Sequence, residues 1–408
     1  MRDEAGMPTS GAALTELPIG AVEGTKPAVG HYVAPYLPIT GSWIYGQLVN
    51  LRRHRPVVMT DRTENLDVFP FAPVYPADRA SRFRKLGWAL TGGRVRGVSW
   101  RYFEEVIKRE KITLLHAHFG QAGAEMVSLK RRVRLPMLTA FYGADVSQLP
   151  ADPYWRALFV RLFEVGDLVL AEGSAMRAAL LALGCPPAKV VIQHLGVDTA
   201  TIPFQAKRPD PDGTVRILIA GTFREKKGIP DALRAIQGVH RQYPKLRATL
   251  IGDSAGRQGD DEEKRVILGL LRTLGDVVTW LGYVPYPEFR RQLTKHHIFL
   301  SPSVTARDGD SEGGAPIAIL EAEASGMPVV STRHADIPEI VVANESALLS
   351  AERDVEALTA NLERLLKDPD QWPAMGERGR RHVEESYNVT VQVQRLETLY
   401  SQVLGRTR

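Results

Sequence analysis

The chain has a single cysteine, Cys185, so it can form no intramolecular disulfide and no cysteine-built metal cluster. It has no run approaching the ~20 apolar residues a transmembrane helix needs. The opening residues Met1-Arg2-Asp3-Glu4 carry acids early, and no apolar stretch follows, so no secretory leader is expected. Hydrophobic residues make up 44% and charged residues 24%, which excludes a mostly disordered or collagen-like chain. One cysteine in 408 residues fits a reducing, cytoplasmic setting. A chain of this length suggests two domains.

What is present begins with charge. The net charge is +5, unevenly placed. Residues 1–205 hold 24 Lys+Arg and 18 Asp+Glu; the remainder holds 28 and 29. Within the first part Arg79, Arg82, Arg84, Lys85, Arg94, Arg96 and Arg101 interleave with Phe83, Leu86, Trp88 and Trp100. Lys130, Arg131, Arg132 and Arg134 form a second group. Such a surface suits anionic lipid headgroups or an anionic substrate; a plainly solvated basic face is the alternative. No nucleic-acid recognition motif accompanies it.

Residues 1–25 are rich in Gly, Ala, Thr and Pro without periodicity and read as a flexible tail. Beyond them, short apolar runs alternate with helical patterns such as Ser99–Lys111 and Tyr154–Val165. The runs are Ala28–Val33, Pro56–Thr60, Ile112–His116, Met137–Phe141, Leu168–Ala171 and Val190–Gln193. Alternating βαβ with fully apolar strands predicts a parallel sheet covered by helices. The charged, proline-rich segment Pro203–Gly213 reads as a linker. The alternation then restarts at Val215–Ala220, Arg247–Ile251, Val277–Leu281, Ile298–Ser301 and Pro328–Ser331. Two Rossmann-like domains facing a cleft are expected, over 26–203 and 204–382. A last helix within 383–408, drawn from the pattern Val383–Leu404, is expected to cross back to the first domain.

The most informative stretch runs from Ser301 to Glu321. A strand ends in a polar loop, Gly313, Gly314 and Ala315 lead to Pro316, and a helix follows to about Ser325, with Gly326 as its stop. Glycines before a helix let backbone N–H groups approach a phosphate, which the helix dipole also favours. Glu312 sits at the mouth and Glu321 on the helix. A carboxylate accepts from two vicinal hydroxyls, so the pair suits a ligand with diols on both sides of a diphosphate, as in a nucleotide-sugar. A plain helix start with surface acids is the alternative.

These residues resemble the retaining GT-B glycosyltransferases of family 4, over nearly all of residues 28–400. The strongest motif is Glu312 with the block Glu321–Ile340, EAEASGMPVVSTRHADIPEI. The family spacing is E-x7-E, whereas eight residues separate Glu312 from Glu321 here. The resemblance implies that Glu321 holds the nucleotide ribose. It implies that Glu312 and the Gly313, Gly314, Ala315 and Pro316 backbone hold the donor sugar and diphosphate. In Gly221-Thr-Phe-Arg-Glu-Lys-Lys-Gly228, Lys227 matches the family's phosphate lysine. The family's arginine is Thr222 here, and Arg224 is the candidate to take over. Gly41 and Ser42, after the first strand, match the loop that approaches the donor phosphates. Thr139–Asp145 resembles T-x-x-H-G-x-D, with Tyr142 at the histidine position and Asp145 as a contact for an acceptor hydroxyl. His118, at a strand end, is a catalytic candidate; a histidine satisfied within the sheet is the alternative. Leu195–Asp198 matches a structural turn near the domain junction.

The reading is a metal-independent hexosyltransferase that takes a UDP- or GDP-linked sugar and needs no cofactor. Asp308-x-Asp310, a metal motif in another glycosyltransferase class, is expected to hold none. The acceptor would be a saccharide, lipid-linked in surface polysaccharide or glycolipid assembly, and the enzyme cytoplasmic or peripheral on the inner membrane face. Alternatives are a natural-product transferase with a soluble small-molecule acceptor, a sugar-nucleotide epimerase on the same fold, and a non-catalytic nucleotide-sugar-binding protein.

Overall fold

The computed structural model describes residues 26–77, 100–256, 259–314 and 316–406. The tail 1–25, the basic stretch from Arg79 to Arg96 and Ala315 lie outside the described residues.

Two parallel sheets organise the chain. The first contains β1 (Ala28–Tyr32), β2 (Arg55–Thr60), β3 (Val74–Pro76), β4 (Ile112–His118), β5 (Met137–Ala140), β6 (Leu168–Ala171) and β7 (Val190–Ile192), in the order β3-β2-β1-β4-β5-β6-β7. The second contains β8 (Val215–Ala220), β9 (Leu246–Ile251), β10 (Val278–Gly282), β11 (Ile298–Ser301), β12 (Val329–Thr332) and β13 (Ala347–Ser350), in the order β10-β9-β8-β11-β12-β13. Every residue of β1, β5, β6, β11, β12 and β13 is buried. That is the cost-free arrangement for apolar strands covered on both faces. Each sheet accordingly has apolar packing on both sides, and Pro203–Gly213 joins them without helix or strand. β3 and β13 were not expected. β3 is a three-residue edge strand between prolines, where a missing N–H costs no ladder bond.

The helix expected over Val383–Leu404 is two helices, Trp372–Ser386 and Val389–Arg406. The break has a backbone cause. Val197 donates to Tyr387 O at 2.8 Å, and Val389 donates to Val197 O at 2.9 Å, so the chain leaves the helix to pair with the Leu195–Asp198 turn. The second helix then lays Val389, Val393, Leu396, Tyr400 and Val403 on Val29, Leu114, Leu138 and Leu170 of the first sheet. The C-terminus thereby covers the N-terminal domain.

Of the second basic group, Lys130 pairs with Asp167 at 2.9 Å and Arg132 pairs with Glu104, so part of that charge is neutralised in place.

One carboxylate fastens the C-terminal helix. Glu397 Oε1 accepts from the backbone N–H groups of Arg52, Arg53 and His54 at 3.1, 2.6 and 2.9 Å. Orphaning a buried N–H costs roughly 1–3 kcal/mol. Glu397→Ala is therefore expected to lower the stability of the first unfolding transition by about 3 kcal/mol or more in urea titration. Glu397→Gln keeps an accepting oxygen and should lose less than half of that. Equal losses for the two variants would show that the amides do not depend on the oxygen.

Candidate functional site

The site is built at the strand ends of the second sheet. After β8 the chain makes a tight turn, Glu225–Lys227, that ends at Gly228. Gly228 has φ +59°, and a Cβ there would lie 1.8 Å from Pro302 O, so only glycine permits the turn. The turn presents Lys226 and Lys227 towards the loop that follows β11. Lys227 Nζ lies 2.8 Å from the Glu312 carboxylate, and Ser303 Oγ donates to Glu312 Oε1 at 2.8 Å. Burial alone would raise the pKa of Glu312; Lys227 and Lys226 outweigh it and hold it at about 2. Behind it, Glu312 N donates to His334 Nε2 at 3.0 Å, and His334 Nδ1 lies 2.7 Å from Glu352. Since Nε2 accepts, the proton sits on Nδ1 and faces Glu352.

Arg224 pairs with Asp310 at 2.5 Å, and Lys226 Nζ reaches Asp310 at 3.3 Å and Ser311 O at 2.8 Å. Asp308 accepts from Gln148 Nε2 at 2.6 Å. The two aspartates of the D-x-D thus face cations and an amide. Arg224, Lys226 and Lys227 converge on one loop, as a diphosphate needs.

Pro316 caps the helix Ile317–Ala324, and Gly326 at φ +91° ends it. Glu321 is buried on this helix, with Tyr286 Oη donating to its Oε1. Burial pushes the Glu321 carboxyl up to about 7, against the Tyr286 hydrogen bond and the Arg290 charge. Glu323, two residues on, is wholly buried and receives a bond from Ser346 Oγ; burial pushes it up to about 8.

The first domain meets this loop directly. A Cβ at Gly313 would lie 2.0 Å from Gly143 Cα, and one at Gly314 would lie 1.7 Å from Glu172 Oε2. Tyr142, beside Gly143, stacks on His118, meets Phe119 edge to face and has its ring centroid 5.9 Å from that of Trp43. Trp43 follows Ser42 in the helix Ser42–Asn50, which Gly41 caps, so this helix start stands beside the same turn. His118 Nδ1 lies 2.7 Å from Tyr142 Oη. His118 is wholly buried, so it approaches the cleft only through Tyr142.

Asp145 departs from expectation. Its carboxylate accepts from Gly120 N at 2.8 Å, Tyr142 N at 3.0 Å and Gly143 N at 2.8 Å, and it is 1% exposed. With its oxygens turned onto the backbone it fixes the turn and offers an acceptor hydroxyl nothing. Sequence reasoning also missed Ser303, Glu172 and Tyr286. None stands in a recognisable spacing, and each is drawn in from another element. His334 lay within the quoted motif without a role.

Two Rossmann-like domains, with clustered cations and a buried carboxylate between them, define the GT-B class of glycosyltransferase. Comparison with known proteins agrees. Residues 45–201 match the family described as Glycosyltransferase Family 4, and residues 202–382 match Glycosyl transferases group 1. A protein named as the colanic acid biosynthesis glycosyltransferase WcaL of Escherichia coli K12 is 34% identical over 279 residues, 67% of each chain. The amylovoran biosynthesis glycosyltransferase AmsK of Erwinia amylovora is 36% identical over 251 residues, 61% of this chain and 60% of that one. The chain thus aligns with about two thirds or less of the length of these relatives. Sucrose-phosphate synthase from Thermosynechococcus elongatus shares the fold, with TM-score 0.73 and 18% identity over 93% of this chain and all of that one. So does an Anabaena protein solved with UDP and glucose, with TM-score 0.73 and 15% identity over 91% and 99%. The chain belongs to the family 4, group 1 glycosyltransferases.

The raised carboxyls have a pH consequence. Glu323 is protonated in the native state up to about pH 8, but ionises near 4.5 when unfolded. Between those values the native state binds more protons, so stability falls as pH rises, by about 1.4 kcal/mol per unit. Glu323→Gln should flatten the decline of Tm between pH 5 and 8. An unchanged slope would mean that Glu323 is already ionised at pH 5.

Proposed function

We propose that this protein transfers a hexosyl group, with retention, from a UDP- or GDP-linked sugar to a saccharide hydroxyl. The observation that carries the reading is the group Arg224, Lys226, Lys227 and Glu312 at the mouth of the helix bearing Glu321. The cations neutralise the leaving diphosphate, with Lys227 and Arg224 gripping its oxygens. Backbone N–H groups of Gly313 and Gly314 add to this, and Glu321 accepts from the ribose hydroxyls. Glu312 hydrogen-bonds the sugar. The acceptor attacks from the face the diphosphate leaves, and positioning supplies much of the rate. Tyr142, neutral because burial raises its pKa, borders the acceptor side with the start of the helix at Gly41 and Ser42.

The relatives named for colanic acid and amylovoran biosynthesis support a polysaccharide acceptor; we take it to be lipid-linked and met by the enzyme at the inner membrane face. Among the described residues no helix is long and apolar enough to cross a membrane. The engagement of Asp310 by Arg224 and Lys226 supports a leaving group neutralised by side chains, without a divalent ion or cofactor. Adding Mg²⁺ or Mn²⁺ to gel-filtered protein should leave turnover unchanged; a rise of tenfold or more would return the D-x-D to a metal role.

A donor panel tests the reaction class. Release of nucleoside diphosphate from one sugar-nucleotide, increased by acceptor, is expected. An epimerised sugar-nucleotide would make the protein an epimerase, and no turnover at all a binding protein. Lys227→Ala should weaken a nucleoside diphosphate by roughly 1.5–3 kcal/mol by calorimetry and leave the bare nucleoside nearly unaffected. Equal losses would remove Lys227 from the phosphates.

A further inference from the structure

We propose that His31, His116 and His118 bind one first-row divalent transition-metal ion, of which zinc is the best fit, in the core of the first domain. The placement comes from the sheet. β1 and β4 are adjacent and parallel, His31 stands opposite His116, and His118 is two residues further along β4. Residues two apart on a strand, and their neighbour across the ladder, share one face. Three imidazoles therefore converge, with a nitrogen of each within 4.8 Å of the others. All three rings are 0% exposed, in a layer otherwise built from Val29, Leu114 and Leu138.

The nitrogens divide in a way that suits ligation. His116 Nδ1 lies 2.6 Å from Tyr400 Oη, and His118 Nδ1 lies 2.7 Å from Tyr142 Oη. A ligating histidine holds its second nitrogen on such a partner, which fixes the ring and leaves the other lone pair for the ion. His31 Nδ1 and His118 Nε2 touch each other at 3.0 Å. The Nε2 atoms of His31 and His116 are buried and have no partner among the described residues. Buried polar atoms are rarely left so, and two in one cluster need an explanation.

Burial keeps all three imidazoles neutral, which is the ligating form. Imidazole donors suit zinc, copper, nickel and iron. Three histidines with a fourth position open to water form a tetrahedral zinc set, with Zn–N near 2.0–2.1 Å. Tetrahedral ligands at that length stand about 3.3 Å apart, so reaching the set from 4.8 Å needs a contraction of at most about 1.5 Å, shared among three rings with broad χ2 torsions. The His31–His118 contact is the one bond that ligation replaces. The anionic groups felt by the flanking tyrosines are Glu172 and Asp145 at Tyr142 and Glu397 at Tyr400. The site is separate from Asp308 and Asp310, whose carboxylates face Gln148, Arg224 and Lys226.

The test uses the full chain without a histidine tag, stripped with chelator and gel-filtered, then titrated with Co²⁺. One equivalent should produce the visible d–d bands of tetrahedral nitrogen-ligated cobalt, and Zn²⁺ should displace them. Zn²⁺ should also raise Tm. Tyr400→Phe should weaken Co²⁺ binding about 10- to 100-fold, as loss of an outer partner does. His31→Leu should abolish the bands, and the Asp308→Asn, Asp310→Asn double variant should keep them. If a histidine variant fails to fold, the wild-type titration still decides. Absent bands together with no zinc retained through dialysis would overturn the proposal. Bands that persist in folded His31→Leu would do so too, since the metal would then sit elsewhere.

Discussion

A carboxylate kept ionised inside the protein is the constraint around which the second domain's mouth is arranged. Glu312 would be costly to bury alone; it is tolerable because Lys227, Ser303 and, at 4.0 Å, Lys226 surround it. The arrangement reaches outward. Lys227 can stand there because Gly228 turns left-handed against Pro302 O and because Gly221 lacks a Cβ, which would crowd the lysine stem at 3.3 Å. His334 holds the Glu312 N–H from behind and is itself oriented by Glu352. The ends of β8, β11 and β12 are thereby tied to one residue, two through its carboxylate and one through its backbone N–H. The pairing also holds two lysines in place on one loop, Lys226 buried and Lys227 partly exposed.

The two domains close on each other at positions without side chains. Gly143 meets Gly313, Gly314 meets Glu172, and Gly173 meets Asp336, each too close for a Cβ. At this seam Ala175 N donates to Asp336 at 2.6 Å, and Ser174 N donates to Glu339 at 3.2 Å. Two carboxylates of the second domain therefore cap the helix Ser174–Ala182 of the first, where the dipole favours negative charge. The seam combines steric permission with a polar clasp, and it places the Tyr142 turn against the Glu312 loop.

Much of this was legible in the sequence. Apolar runs located eleven of the thirteen strands among the described residues because buried parallel strands are apolar throughout. β3 escaped because three residues flanked by prolines carry no periodicity. The C-terminal pattern was amphipathic on both sides of Tyr387, so periodicity alone could not show a break made by pairing with Val197. That Glu312, Lys227 and Arg224 meet at one loop, with Glu321 on the helix after it, was legible because each stands in a short local motif. Glu172, Ser303 and Tyr286 were not, because their roles exist only once distant segments meet. Asp145 was misread for the opposite reason. An aspartate two residues after a glycine turn suits the backbone as well as a ligand, and burial gives it to the backbone.

Tyr142 shows how the core and the cleft are coupled. It replaces the family's histidine, and its hydroxyl rests on His118, which in turn rests on His31. Two proton arrangements satisfy that chain. In one, Tyr142 donates to His118 Nδ1, and its proton is used internally. In the other, His118 carries its proton on Nδ1 and donates to Tyr142 Oη, so the phenol proton is available to another acceptor. Whatever engages His118 Nε2 from the core side, the His31 N–H or a metal ion, selects the second arrangement. A neutral phenol whose proton is free to be donated away from the core is then a consequence of what the buried histidines hold. The Tyr142 substitution and the His31–His116–His118 cluster are thus two ends of one hydrogen-bonded unit.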